Sequence, residues 1–121
     1  MARLTFPRRG EVFLVNFDPT IGSEIRKTRP ALIVQNDVAN EHSPITIVAA
    51  VTSKFDEKLY PTEVLIRAGQ AGMTQDSVVL LNQIRSIDRA RLIKKLGKID
   101  DKTLKRVNSS LKVSLGLIDI K

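Results

Sequence analysis

The stretch "EVFLVNFDPTIGSEIRKTRPALIVQN" (residues 11–36) decides how the chain is read. "EVFLVNF" (11–17) is rich in Val and Phe and predicts a strand. Its alternation sets Phe13, Val15 and Phe17 on one face and Val12 and Leu14 on the other. "DPTIG" (18–22) stacks Asp, Pro, Thr and Gly, residues that favour a turn by their backbone preferences and local hydrogen bonding. Pro30 has no N–H and pushes Arg29 into an extended conformation, so "ALIVQN" (31–36) continues as a second strand. Between turn and strand lie one acid, Glu24, and three bases, Arg26, Lys27 and Arg29. That is a dense charge cluster just before a buried strand.

The rest of the chain extends the same pattern. "ITIVAAVT" (45–52) is apolar and β-branched, as a central strand buried on both faces would be. "TEVLI" (62–66) alternates like a strand, "SVVLLNQIRSI" (77–87) is a strand that continues or bends after Leu81, and "KKLGKI" (94–99) fits a short edge strand whose lysines discourage further pairing. The polar stretches "DVANEHSP" (37–44), "SKFDEKLYP" (53–61) and "RAGQAGMTQD" (67–76) are expected as loops. The C-terminal segment changes period: Leu104, Val107, Leu111, Leu115 and Ile118 recur at steps of three and four, with Lys102, Lys105, Arg106 and Lys112 off the stripe. A helix over about 102–117 is predicted, N-capped by Asp100 or Asp101, with Gly116 weakening its last turn. Five to seven strands followed by one helix, without strand–helix alternation, argue against a doubly wound parallel sheet. They predict a mainly β (α+β) fold: a small antiparallel barrel or curled sheet with the helix packed on it.

The 121 residues suit a single domain, 1–121, with 42% apolar and 27% charged residues. No apolar run approaches the roughly 20 residues of a membrane helix, and the N-terminal "MARLTFPRRG" lacks the apolar centre of a secretory signal. There are no cysteines, hence no disulfide, thiol nucleophile or Cys-based zinc site, and a cytoplasmic address is the default expectation. The net charge of +7 attracts polyanions without choosing among nucleic acid, acidic membrane and acidic protein. The one histidine, His42, sits in a polar loop, where a solvated surface role is the commoner one. No Gly-rich phosphate loop and no nucleophile elbow is present. An enzyme built from this inventory works with Arg, Lys, Glu, Ser, Thr, Asn and Gln. That set suits a phosphodiester: Arg matches phosphate oxygens bidentately, and hydroxyls and amides donate to the same oxygens. RNA also carries its own nucleophile in the 2′-OH, so cleavage by internal attack needs only orientation, charge stabilisation and proton transfer.

"RRGEVFLVNFDPTIGSE", "RPALIVQND", "SPITIVAAVTS" and "DSVVLLNQIRSID", in this order, resemble the MazF/PemK family of toxins from bacterial type II toxin–antitoxin pairs. The resemblance runs from Arg9 to about Ile118. It implies an SH3-like antiparallel β-barrel with a C-terminal α-helix, a homodimer, and an endoribonuclease that needs no metal or other cofactor. Such an enzyme cuts single-stranded RNA at short sequences, leaving 2′,3′-cyclic phosphate and 5′-OH ends, and a cognate antitoxin protein covers its RNA groove. Carried over by motif, the catalytic pair falls on Arg29, of the "RP" pair, and Thr52, which closes the central strand. "GSE" brings Gly22, Ser23 and Glu24 to the RNA, and "QIR" brings Gln83 and Arg85. The family also includes a toxin that traps DNA gyrase, so a non-enzymatic poison and a plain RNA-binding module are the rival readings.

Each position also has a plainer reading. Arg29 alone is a surface arginine held by Pro30, and Thr52 a β-branched strand end. Arginine holds its proton far into the alkaline range and is a poor base near neutral pH. Glu24 is chemically the better acceptor for the 2′-OH proton, set against a weak exposed ion pair with Arg26 or Lys27. Ser23 also fits a simple turn residue. Arg9 and Arg26 are candidate phosphate contacts, Gln35, Asn36 and Gln83 candidate readers of base edges, and Phe55 and Tyr60 candidate stacking platforms. After "GSE", where small or glycine-rich residues are common in the family, this chain has Ile25, Arg26, Lys27 and Thr28, so target sequence does not carry over.

Overall fold

The computed structural model of the chain describes residues 5–19, 22 and 27–119. Its elements are strands β1 (Glu11–Asn16) and β2 (Thr28–Ile33), helix α1 (Asp37–His42), and strands β3 (Ile45–Thr52), β4 (Glu63–Ile66) and β5 (Ser77–Asp88). A short 3-10 turn (Arg89–Arg91), strand β6 (Leu92–Lys98) and helix α2 (Asp101–Ser114) complete them. One six-stranded sheet runs in the order β4-β5-β3-β2-β1-β6. Every pairing is antiparallel.

The two-residue alternation along each strand builds a core on each face of this sheet. Val12, Leu32, Ala49, Val51, Val79 and Leu81 face one side, and Val15, Phe17, Ala31, Ile33, Val48 and Ala50 the other. The first strand therefore presents the faces its alternation predicts. β3 lies between β2 and β5, and Val48, Ala49, Ala50 and Val51 are all essentially inaccessible, as a doubly buried central strand requires. β5 bends where its register jumps: Ala49 pairs with Ile84 but Ala50 with Leu80, and Leu81, Asn82 and Gln83 fall between these pairings.

Helix α2 covers the first face. Asp100 is its N-cap, accepting a 2.8 Å bond from the Thr103 backbone N–H. Val107 is fully buried, with Leu104 and Leu111 packed beside it. Burying a valine of this kind stabilises by about 1.5–3 kcal/mol. Two hydroxyls pin the helix to the sheet, Ser110 to the Pro61 carbonyl and Ser114 to that of Leu81 at 2.6 Å. The helix ends earlier than its apolar stripe suggests. Gly116 adopts φ +73°, the Leu117 N–H bonds the Lys112 carbonyl and the Gly116 N–H that of Val113. That is a Schellman stop, and it leaves Leu115 61% and Ile118 47% exposed.

Residues 37–44, expected as a loop, hold the short helix α1. The Asn36 side chain caps it by accepting from the Ala39 N–H at 2.9 Å. Asn40 is fully buried, accepts from Thr46 Oγ1 and Gln35 Nε2, and donates to the Gln35 carbonyl. The edge strand starts at Leu92, two residues before its lysines.

No hydrogen-bonded pairing joins β4 to β6 among the described residues, so the sheet is open. It is nevertheless curled onto itself. The loop after β4 (residues 67–76) lies against β6 backbone to backbone: a methyl group at Gly97 would stand 2.5 Å from the Ala71 carbonyl carbon, and one at Gly72 would run into the Leu96 carbonyl.

Two outcomes follow for stability. Gly97→Ala loses about 2–4 kcal/mol by urea denaturation, because backbone must move. Gly69→Ala, at φ +92° with open space around it, loses only about 1 kcal/mol. The second outcome concerns pH. Hydrogen bonding from the Thr103 hydroxyl, then from its N–H, holds the Asp100 carboxyl below its ordinary value, helped by Arg106 and Lys102. A lowered folded-state pKa contributes stability above the unfolded value, and that contribution disappears as pH falls through the folded one. The urea midpoint therefore declines below about pH 4, and Asp100→Asn, which still caps, shows a shallower decline.

Candidate functional site

Arg29 enters β2 paired with Val15 of β1, and Pro30 pairs with Leu14. On its other side β2 pairs with β3, Ala31 opposite Ala50. The same register carried two residues further sets Arg29 against Thr52. By alternation both share the sheet face of Ala31 and Ala50, the face opposite α2. Arg29 and Thr52 are half-buried and line one pocket of about 230 Å³. Thr52 pairs with Val78 of β5, and its hydroxyl accepts a 3.1 Å bond from the Lys54 N–H.

Ser53, Ser77, Thr74 and Gln75 add hydroxyls and an amide to this pocket, and Val51, Met73 and Leu96 its apolar wall. Its described lining contains no carboxylate and no imidazole. One permanently charged donor fork beside several hydroxyls suits the oxygens of a phosphodiester. Larger hollows, of about 680 Å³ beside β1 and β6, about 520 Å³ between β4 and α2 and about 370 Å³ around His42 and Arg89, contain neither Arg29 nor Thr52. Size does not single out the site; the convergence of cation and hydroxyls does.

The loop joining β1 to β2 is tied at its neck. The Phe17 N–H bonds the Lys27 carbonyl at 2.9 Å, and the Lys27 N–H bonds Asp18 Oδ1 at 2.9 Å. Arg91 spans the same neck, donating to the carbonyls of Asn16, at 3.0 Å, and Asp18. Nothing in the sequence "DRARL" distinguishes Arg91 from a solvated charge, because its acceptors are backbone carbonyls of residues far away in the chain. Ser23, Glu24 and Arg26 lie outside the described residues.

The remaining expected contacts are not in the pocket lining. Arg9 binds the Val34 carbonyl at 2.8 Å and Asn108 Oδ1 at 2.7 Å, clamping α2 to the end of β2. Asn36 caps α1, and Gln35 bonds Asn40 and the Ile45 carbonyl. Arg85 pairs with Val48 and lies 5.6 Å from the centre of the Phe17 ring, on the same sheet face as Arg29. Gln83 is half-buried at the β5 irregularity. Tyr60 is 66% exposed in the loop before β4.

Residues 8–115 match the family model described as PemK-like, MazF-like toxin of type II toxin-antitoxin system. The chain belongs to this family. It is 44% identical over 112 residues to Endoribonuclease EndoA of Bacillus subtilis, covering 93% of this chain and 97% of that one. It is also 44% identical over 114 residues to Endoribonuclease MazF of Staphylococcus saprophyticus, covering 94% and 95%. Among solved structures, MazF from Deinococcus radiodurans superimposes with a TM-score of 0.79 at 31% identity, covering 93% of this chain and 98% of that one. A MazE-MazF structure from the same organism gives a TM-score of 0.73 at 28% identity, covering 93% and 97%. As a member of the PemK/MazF family, the chain pairs a toxin ancestry with a pocket of arginine and hydroxyls.

Proposed function

We propose that this chain is the toxin of a type II pair and acts as a sequence-specific endoribonuclease on single-stranded mRNA. The observation that carries the reading is the meeting of Arg29 and Thr52 in one pocket whose described lining holds hydroxyls but no imidazole, amine or carboxylate to activate one of them as a nucleophile. A substrate that brings its own nucleophile completes such a site, and RNA does so with the 2′-OH.

In the proposed mechanism the 2′-oxygen attacks the adjacent phosphorus, the bond to the 5′-oxygen breaks, and the products carry a 2′,3′-cyclic phosphate and a 5′-OH. Arg29 donates to the non-bridging oxygens, where negative charge grows in the transition state. The Thr52 hydroxyl holds the same phosphate. Arginine does not release its proton near neutral pH, so the 2′-OH proton goes to a carboxylate, a part assigned to Glu24, and the departing 5′-oxygen takes up a proton from water to become the 5′-OH. No metal takes part in this scheme. Arg85, on the face that carries Arg29, is proposed to contact RNA, as are Ser23, Arg26, Gln83 and Tyr60. Arg9 and Asn36 would contribute only beyond the backbone duties already described.

The finer structural expectations belong to the same reading. The curled sheet is taken as an SH3-like barrel, supported by the contact of residues 71–72 with residues 96–97. A homodimer, a cytoplasmic site of action and a cognate antitoxin are proposed from family membership, the last supported by the MazE-MazF structure from Deinococcus radiodurans.

The test is cleavage of a long single-stranded RNA in EDTA. Wild type gives discrete fragments. Arg29→Ala slows cleavage about 10²–10³-fold, Glu24→Gln about 10²–10⁴-fold, and Thr52→Ala at least about tenfold, with thermal melting unchanged. Intact RNA with wild type, or wild-type rates in both Arg29→Ala and Thr52→Ala, overturns the reading.

A further inference from the structure

The loop between β4 and β5 (residues 67–76) has no part in the chemistry above, yet it supplies Gly72, Met73, Thr74 and Gln75 to the pocket that holds Arg29 and Thr52. We infer that Gln75 is a specificity-determining residue, its carboxamide reading the base next to the scissile phosphate. The inference rests on the nuclease reading of that pocket.

Three observations support it. First, the loop is rigidly placed. The Ala68 N–H bonds Asp76 Oδ1 at 2.8 Å, the Gly69 N–H bonds the Met73 carbonyl at 2.7 Å, and the Met73 N–H bonds the Gln70 carbonyl at 3.0 Å. Ala71 and Met73 are buried in the core under α2, and Gly72 abuts the Leu96 backbone. Second, the loop is latched to α2. Gln70 Oε1 accepts from the buried Thr103 hydroxyl at 3.1 Å, and Arg106 donates to that hydroxyl at 3.3 Å. Third, the two residues that follow this anchored part, Thr74 and Gln75, are exposed at the pocket rim. The Ser77 hydroxyl holds the Gln75 carbonyl at 3.0 Å, fixing the backbone from which the side chain projects.

A base reader needs a donor and an acceptor side by side, held on backbone that does not yield. A glutamine carboxamide supplies both groups, and base edges present matching pairs. The phosphate-handling cation and hydroxyl lie in the same pocket, so the base within reach is one adjoining the cut. A charged residue at this rim would add affinity without choice, since phosphate contacts are blind to sequence.

The test is cleavage of a randomised single-stranded RNA pool, with cut sites read by sequencing, by wild type, Gln75→Ala and Gln75→Glu. Gln75→Ala flattens the preference at one position beside the cut, on the order of tenfold, while preferences at other positions persist. Gln75→Glu, which exchanges the amide donor for a second acceptor, shifts that position towards bases offering N–H donors, guanine with its N1–H and amino group first, then adenine and cytosine, and away from uracil. Unchanged preferences in both variants overturn the inference, as does a uniform loss of cutting at all sites. A wild-type protein that cuts no RNA removes the nuclease reading itself, a failure distinguishable from the other two.

Discussion

The close approach of two backbone segments, residues 71–72 against 96–97, is the constraint on which the rest of the molecule depends. An open six-stranded sheet has two free edges, β4 and β6, far apart in strand order. Only glycine at positions 72 and 97 lets the loop beyond β4 lie on the β6 backbone. That contact bends the sheet, closes a core on its inner side under α2, and brings residues 72–75 beside the ends of β2 and β3. The pocket containing Arg29 and Thr52 is the gap left at that seam. Shape, core and site thus share one origin, and a site held by backbone contacts keeps its geometry better than one held by side chains.

The division of labour between the two sheet faces follows from strand alternation. One face is sealed by α2. The other carries Phe17, Ala31 and Ala50 in its core and, toward the strand ends, Arg29, Thr52 and Arg85. The pocket lies where the two faces meet, since Val51, Met73 and Leu96 of the core under α2 wall it, while Lys102, Lys105, Arg106 and Lys112 on the outer side of α2 are exposed. In the proposed reading the charge of the whole molecule attracts a polyanion over long range, and Arg29 and Thr52 at the paired strand ends hold its phosphate.

Much of this was legible in the sequence because it rests on short-range rules. The alternation in residues 11–17, the doubly apolar run 45–52, the Asp100 cap and the stripe through Val107 each specify an element without reference to the rest of the chain. Helix α1 was not legible, because its polar residues mimic a loop and its order comes from the buried Asn40 bonded to Thr46 and Gln35. The arginines show the same limit. Arg9, expected at RNA, binds a carbonyl and Asn108 across 99 positions of sequence, and Arg91, expected nowhere, ties the neck of the β1–β2 loop. An arginine that ties down backbone carbonyls looks the same in sequence as one that lines a pocket. The rim residues Thr74 and Gln75 were hidden for a related reason: the stretch 67–76 is visibly a loop, but its place beside Thr52 is set by glycines about 25 residues apart.

In the proposed mechanism the protein supplies no nucleophile, and the 2′-OH of RNA attacks its own phosphate. Chemical identification of the ends produced from a defined single-stranded RNA tests this most directly, with a matched substrate carrying 2′-deoxy sugar at the cut position. The expected result is 2′,3′-cyclic phosphate and 5′-OH ends from the RNA and no cut at the deoxy position. Ends bearing 3′-OH and 5′-phosphate, or cleavage at the deoxy position, would contradict it.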